Sequence, residues 1–268
     1  MISSLMDWLI PLKFKILVRV SLSPWLGFTK VDSWEIASAK CAGYESPNVV
    51  EPVAKKAGLL REQIPSTPYI DSRCQQVATA MLHCLAEIGF EKHRVLRVLD
   101  FGGAGGDYYY HLRKIAPSIK IEWIVIETPA LVLAMQFQEK GVDESINWVD
   151  SVEGPTTYFD VVLLSSVLQY IEKPEKILEE LAKRTNFIII NRLPLITKRK
   201  SIVAVQRIYT SGKRGSYPVH FFNEEDMIAT LSEYGTISLR WFVPEDQPVV
   251  GWHAYPNQGL VLQISGRS

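Results

Sequence analysis

Short, unbroken apolar runs alternate with helix-length amphipathic stretches along most of this chain, and the alternation predicts its layers. Val95, Leu96, Val98 and Leu99, then Lys120 to Glu127 (KIEWIVIE), Ile146 to Val149, Phe159 to Leu164 (FDVVLL) and Phe187 to Asn191 (FIIIN) read as strands. Runs this short and this apolar suit a sheet buried on both faces. Helices are expected from about Arg73 to Ile88, from Pro129 to Lys140 behind Thr128-Pro129, and from about Pro174 to Lys183. Another starts at Asn223-Glu-Glu-Asp, whose side chains suit a helix N-terminus, and runs to Tyr234. Strand-helix alternation predicts a mostly parallel sheet with helices on both sides. Ile237 to Val243 and Gly259 to Ile264 are joined without a helix, so the last strand is expected to be antiparallel.

The stretch Arg97 to Tyr110, RVLDFGGAGGDYYY, adds chemistry to this pattern. An apolar strand ends at Asp100 and enters a turn containing Gly102, Gly103, Gly105 and Gly106, where a missing Cβ admits both positive φ and a close ligand. A dinucleotide fingerprint needs G-x-G-x-x-G. Counting from Gly103 puts Tyr108 at the third position, and counting from Gly102 puts Ala104 at the second. A phosphate-cradling loop needs a Gly-Lys pair, and no lysine follows until Lys114. What remains is acid-x-Gly-x-x-x-Gly across Asp100, Gly102 and Gly106, the glycine motif of S-adenosyl-L-methionine (SAM) methyltransferases. The bland alternative is a turn that only allows tight strand-helix packing.

In such a sheet ligands bind beyond the carboxyl ends of the strands. That places Asp100, Phe101, Gly102, Gly103, Ala104, Gly106, Glu127, Asp150, Ser165 and Ser166 around a cofactor, with Gln169 beside them. Glu127 would accept from both ribose hydroxyls or is a solvated strand-terminal acid. Asp150 would accept from the adenine amine, and Asp100 would face the methionine ammonium or cap the turn.

Composition narrows the class. The 268 residues carry no formal net charge, which gives no reason to expect nucleic acid as a partner. Cys41, Cys74 and Cys84 show no C-x-x-C spacing, and the five histidines form no ligand cluster. A reducing cytoplasm fits, and no metal site is expected. From Ile2 to Leu26 the chain is apolar, but Lys13, Lys15, Arg19 and Pro11 interrupt it. That is too broken to span a bilayer, and suits either a segment lying in the inner face of the plasma membrane or a helix docked on the protein itself.

With these residues in view, the chain resembles the SAM-dependent methyltransferases encoded in bacterial gene clusters for lipopolysaccharide and other surface polysaccharides. The matching pieces are DSWEIA (Asp32 to Ala37), GYESP (Gly43 to Pro47), VLDFGGAGG with Tyr109, and WIVIE (Trp123 to Glu127). They continue with LLSSVLQYIEKP (Leu163 to Pro174), INRLP (Ile190 to Pro194), VQRIY (Val205 to Tyr209) and SYPVHFF (Ser216 to Phe222). LDFGG and SSVLQY discriminate most. The resemblance implies the class I methyltransferase fold: a Rossmann-like seven-stranded sheet, mostly parallel with an antiparallel last strand, flanked by helices. It implies a SAM-binding domain over 69–268 behind an N-terminal helical extension over 1–68, and a small-molecule or lipid-linked saccharide as substrate. Asn191, where relatives tend to have an aspartate, and His220, where an aromatic residue is common, depart from the pattern.

Methyl transfer to an alcohol asks for alignment and for removal of a proton. His220 is the candidate base, with Asp107 and His111 as a weaker pair at i, i+4. The segment 193–222 shows no evident helix and carries Lys198, Arg199, Lys200, Arg207, Lys213 and Arg214. It is expected as an acceptor-side loop in which Arg207 holds a phosphate or carboxylate, Tyr217 stacks on a sugar and His220 takes the proton. Gln169, Tyr170 and Arg192 complete the expected substrate contacts. The alternative function is a non-catalytic, methyltransferase-like binding or scaffold protein of the same pathway.

Overall fold

A computed structural model describes residues 27–265, apart from 44, 65–68, 90, 92–93, 140–142, 152–156, 211–212 and 245. The expectations for Ile2 to Leu26 lie outside the described residues. Among the described residues no helix is long and apolar enough to cross a membrane.

The chain begins with strand β1 (Gly27–Val31), helix α1 (Trp34–Ala39) and helix α2 (Pro47–Gln63). Helix α3 (Ser72–Glu87) is capped by Asp71, whose side chain accepts from the Arg73 N–H. Then come β2 (Val95–Phe101), α4 (Asp107–Ile115), β3 (Lys120–Ile126), α5 (Pro129–Glu139), β4 (Ile146–Val149) and β5 (Phe159–Ser165). A 3₁₀ turn (Leu168–Tyr170) leads to α6 (Pro174–Ala182), which has proline in its first turn. The chain ends with β6 (Thr185–Ile196), β7 (Ile202–Thr210), β8 (Lys213–Asn223), α7 (Glu224–Ser232), β9 (Gly235–Val243), β10 (Val249–Val250), β11 (His253–Ala254) and β12 (Asn257–Ile264).

The core sheet runs β4-β3-β2-β5-β6-β12-β9. Its first five strands are mutually parallel, and β12 is antiparallel to both neighbours. This is the expected seven-stranded arrangement. Strand order reverses between β2 and β5, so their carboxyl ends open a crevice there. Val161, Val162, Leu163 and Leu164 are wholly buried because apolar layers cover β5 on both faces. One layer packs Val77, Met81, Tyr109, Trp123, Met135 and Trp148 against α3, α4 and α5. The other packs Leu178, Leu181, Met227 and Leu231 from α6 and α7.

The segment 193–222 is not a loop. Strand β6 continues to Ile196, and β7 and β8 form an antiparallel ribbon in register from Ile202↔Phe221 to Thr210↔Lys213. The ribbon carries β1 on its other edge and joins the core sheet where Leu195 and Ile196 pair with Phe222 and Asn223. Ala204, Val219 and Phe221 alternate inward onto Ile196, Val250 and Tyr255, a third apolar cluster that holds the ribbon down. The extension before residue 69 is correspondingly not only helical, since β1 belongs to this second sheet.

Candidate functional site

The glycine turn after β2 forms as its residue types demand. Gly102 and Gly106 take φ of +70° and +75°, and the Gly102 N–H donates to the Ile126 carbonyl at 2.8 Å, tying the turn to β3. Ala104, where a glycine is more usual, also has positive φ, 49°. Its N–H is held by Glu127 Oε1 at 3.0 Å. Asp100 lies beneath the turn, where a Cβ on Gly103 would run into its carboxylate. It is fully buried. Trp123 Nε1 donates to its Oδ2 at 3.2 Å, and Oδ1 has no partner. Burial pushes its pKa up to about 8. Asp100 therefore braces the turn and does not line the adjoining cavity.

That cavity, of about 360 Å³, opens at the carboxyl ends of β2, β3 and β5 and is bounded by Phe101, Gly102, Glu127, Asp150, Ser166 and Val167. Val167 packs against Gly102, since a Cβ there would approach Val167 Cγ2 to 2.6 Å. Glu127 Oε2 accepts from the Thr128 N–H at 3.0 Å, so each carboxylate oxygen keeps a lone pair for a ligand. Burial raises the Glu127 pKa. Asp150 is exposed at the rim. Gly103, Ala104 and Gly106 shape the turn without lining the cavity. Ser165 turns away from it, its Oγ 2.6 Å from Tyr108 Oη and accepting from Asn191 Nδ2 at 3.3 Å.

A second, smaller cavity shares Ser166 and Tyr170 with the first. It brings together three expected substrate residues, Gln169, Tyr170 and Arg192, with Gln206, Asp246 and Asn257. Arg192 Nε donates to Asp246 Oδ2 at 2.6 Å, and Tyr170 Oη to Gln206 Oε1 at 2.6 Å. The other three expected residues stand elsewhere. Arg207 Nη1 donates to Thr29 Oγ1 at 2.9 Å. Tyr217 is buried edge-on against Tyr170, their centroids 6.0 Å apart. His220 alternates to the ribbon face opposite Val219 and Phe221, its ring stacked 4.3 Å from Trp34 and 5.4 Å from Phe222. Burial lowers its pKa. It lines neither cavity. The Asp107 and His111 pair does not form either: Asp107 binds Lys56 at 3.2 Å, and His111 is buried with Nδ1 unpartnered.

Sequence reasoning placed Val167 near the crevice within Ser165 to Gln169 without giving it a role, and missed Gln206, Asp246 and Asn257 in the second cavity. Gln206 lies in the VQRIY stretch, whereas Asp246 and Asn257 belong to no local motif. A larger groove, of about 730 Å³, contains Trp252, Phe242, Arg240 and Glu224, and shares no lining residue with the first cavity. Within it Arg240 Nη2 is bonded to Glu224 Oε1 at 2.5 Å and to Gln258 Oε1 at 2.6 Å. Among the described residues no group of three or more His, Cys, Asp or Glu is placed to hold a metal.

No protein-family model and no curated protein matches this sequence. Solved structures match in fold. The [4+2]-cyclase SpnF has 12% identity and a TM-score of 0.51, over 88% of this chain and 98% of that one. A SAM-dependent methyltransferase from Clostridium acetobutylicum ATCC 824 has 11% identity and a TM-score of 0.48, over 74% and 93%. The N-terminal domain of EvdMO1, solved with SAH bound, has 15% identity and a TM-score of 0.47, over 73% and 82%. Strand order, connection pattern and the likeness to SpnF agree, and the chain has the class I methyltransferase fold.

Proposed function

We propose that the protein is a SAM-dependent methyltransferase acting on a saccharide, or on its nucleotide- or lipid-linked precursor, in the making of a bacterial surface polysaccharide. The observation that carries the cofactor half is Glu127. Its carboxylate is oriented by the Ala104 and Thr128 N–H groups at the mouth of the cavity that begins at Gly102, with acceptor capacity left for a vicinal diol. The volume of about 360 Å³ suits a nucleoside-sized ligand. Ile126 and Ile171 supply apolar walls for a base, and Asp150 an acceptor at the rim. Bound there, SAM would supply an activated methyl group. The protein's part is then to hold the ribose at Glu127, to exclude water with Val167 and Ile171, and to align an acceptor arriving past Ser166 and Tyr170.

The saccharide half rests on the resemblance in LDFGG and SSVLQY and on the amide-rich acceptor side. Residues 1–26 are proposed to touch the cytoplasmic face of the membrane, which flotation of the full chain with anionic liposomes would test. A second reading, a non-catalytic binding protein, is favoured by one observation. Neither cavity is lined by a histidine or lysine among the described residues, and the Tyr170 hydroxyl proton is already given to Gln206.

Calorimetric titration with SAM, SAH and NAD tests the cofactor. SAM and SAH should bind and NAD should not, and the opposite preference overturns the proposal. Glu127→Ala should weaken SAM binding by about 1.5–3 kcal/mol and also lower the melting temperature, because it frees two backbone N–H groups. Asp150→Ala, at an exposed site, should weaken binding by about 1 kcal/mol with the melting temperature unchanged.

A further inference from the structure

Two residues that line the smaller cavity carry buried acceptor atoms with nothing to accept from. Gln169 and Asn257 are each 4% exposed and both line it, yet Gln169 Oε1 and Asn257 Oδ1 lack hydrogen-bond partners. An interior carbonyl left unsatisfied costs about 1–3 kcal/mol. Two such atoms on residues around a single cavity of about 50 Å³ mark a place where small side-chain adjustments would admit donors. The Gln169 amide is not free to turn over. Its Nε2 donates to Ser166 Oγ at 2.9 Å and to the Arg192 carbonyl at 3.3 Å, which leaves Oε1 as the unbonded end.

The surrounding charges say which donor. Arg192 is engaged by Asp246 at 2.6 Å, so an incoming anion would find two carbonyls and a carboxylate in place of a free cation. The backbone is strained on both sides as well, Ser166 at φ 57° and Arg192 at φ 60°, a conformation that persists only where surrounding contacts enforce it. We infer that this cavity receives the hydroxyl-bearing end of a neutral polyol. A hydroxymethyl group or a vicinal hydroxyl pair of the methyl acceptor donates to Gln169 Oε1 and Asn257 Oδ1. A water molecule needs roughly 10–15 Å³ of such a cavity, so about 50 Å³ takes roughly three to five heavy atoms and the sugar ring stays outside, towards Ser166 and Tyr170. The inference rests on the reading of the larger cavity as the cofactor site. It narrows the acceptor: any phosphate it carries lies away from this end.

The test is saturation-transfer NMR on the full chain, with and without SAH. The probes are the methyl α-pyranosides of glucose, mannose and galactose, and the matching hexose 6-phosphates. At least one neutral hexoside should bind, and the 6-phosphates should not. Asn257→Ala and Gln169→Leu should each weaken hexoside binding roughly tenfold, the scale of a lost hydrogen bond in a buried site. Thermal melts identify any variant that fails to fold, in which case the other variant and the wild-type phosphate comparison decide. Three results overturn the inference: no hexoside signal from the wild type, as for a cavity that holds only water; undiminished binding in the folded variants; or tighter binding of the phosphates. SAH affinity is titrated on the same samples, so loss of SAH binding with hexoside binding intact defeats the cofactor reading alone.

Discussion

A carboxylate's role depends on which way it points, and Asp100 and Glu127 show the difference. Both end apolar strands and both were legible as site acids, but Asp100 turns inward beneath Gly103 while Glu127 turns out to the cavity. Sequence supplies the residue type and the strand end, not the side-chain direction, so the wall of the first cavity could be read only in part. The wall of the smaller cavity was harder: Asn257 and Asp246 come from the far end of the chain and meet Gln169 only through the tertiary fold. Burial makes Asp100 a pH-sensitive element. With a folded-state pKa of about 8 against about 3.9 for a free aspartate, the folded protein keeps a proton that the unfolded chain has released. The stability contribution is complete below about pH 4 and is lost as pH rises through about 8. Melting temperatures recorded between about pH 5 and pH 9 should fall more for wild type than for Asp100→Asn. Equal slopes would mean that Asp100 is ionised in the folded protein.

Among the elements, α2 has the most direct hold on the glycine turn. A Cβ on Gly105 would overlap that of Ala57, and Lys56 reaches Asp107 at the start of α4. Arg61 donates to the Gln138 carbonyl at 3.4 Å and Lys114 to the Ile64 carbonyl at 2.7 Å, so the helix is anchored to both α5 and α4. Gly105→Ala should destabilise the fold by about 1–3 kcal/mol through overpacking. Adding Ala57→Gly should recover much of that loss in urea unfolding, and simple additivity of the two would show that the contact is not the cause. β5 and the stretch 187–190 of β6 were readable because burial on both faces leaves them nearly free of polar residues, and β3 because its apolar run is interrupted only by Glu122 on an exposed face. β7 and β8 were not. Arg207, Lys213 and Arg214 break the apolar alternation, and Pro218 sits inside β8, where a strand is not expected. Pro194 likewise hid the last third of β6, which pairs through it with Asn257.

The whole molecule is stitched together across its length. Phe28 of β1 pairs with Val250 of β10 on one side and with Gln206 of β7 on the other, and its ring meets Phe221 edge-on at 5.3 Å. Removing residues 1–26 should leave SAM affinity unchanged, whereas removing residues 1–33 should lower the melting temperature further and promote aggregation by baring the edge of β7. Light scattering and thermal melts on the two truncations would check this, and equal behaviour would deny β1 its structural part. The same long-range pairing governs how the chain reaches its native state. During synthesis β2, β3, β4 and β5 can assemble as they emerge, but β1 must wait for β7 and β10, and one edge of β6 stays bare until β12 arrives. Contacts so distant in sequence slow folding and prolong the exposure of unpaired strands. Refolding from denaturant should accordingly be slow, concentration-sensitive and improved by chaperones, and its late phase should report the closure of the two edges rather than the formation of the glycine turn.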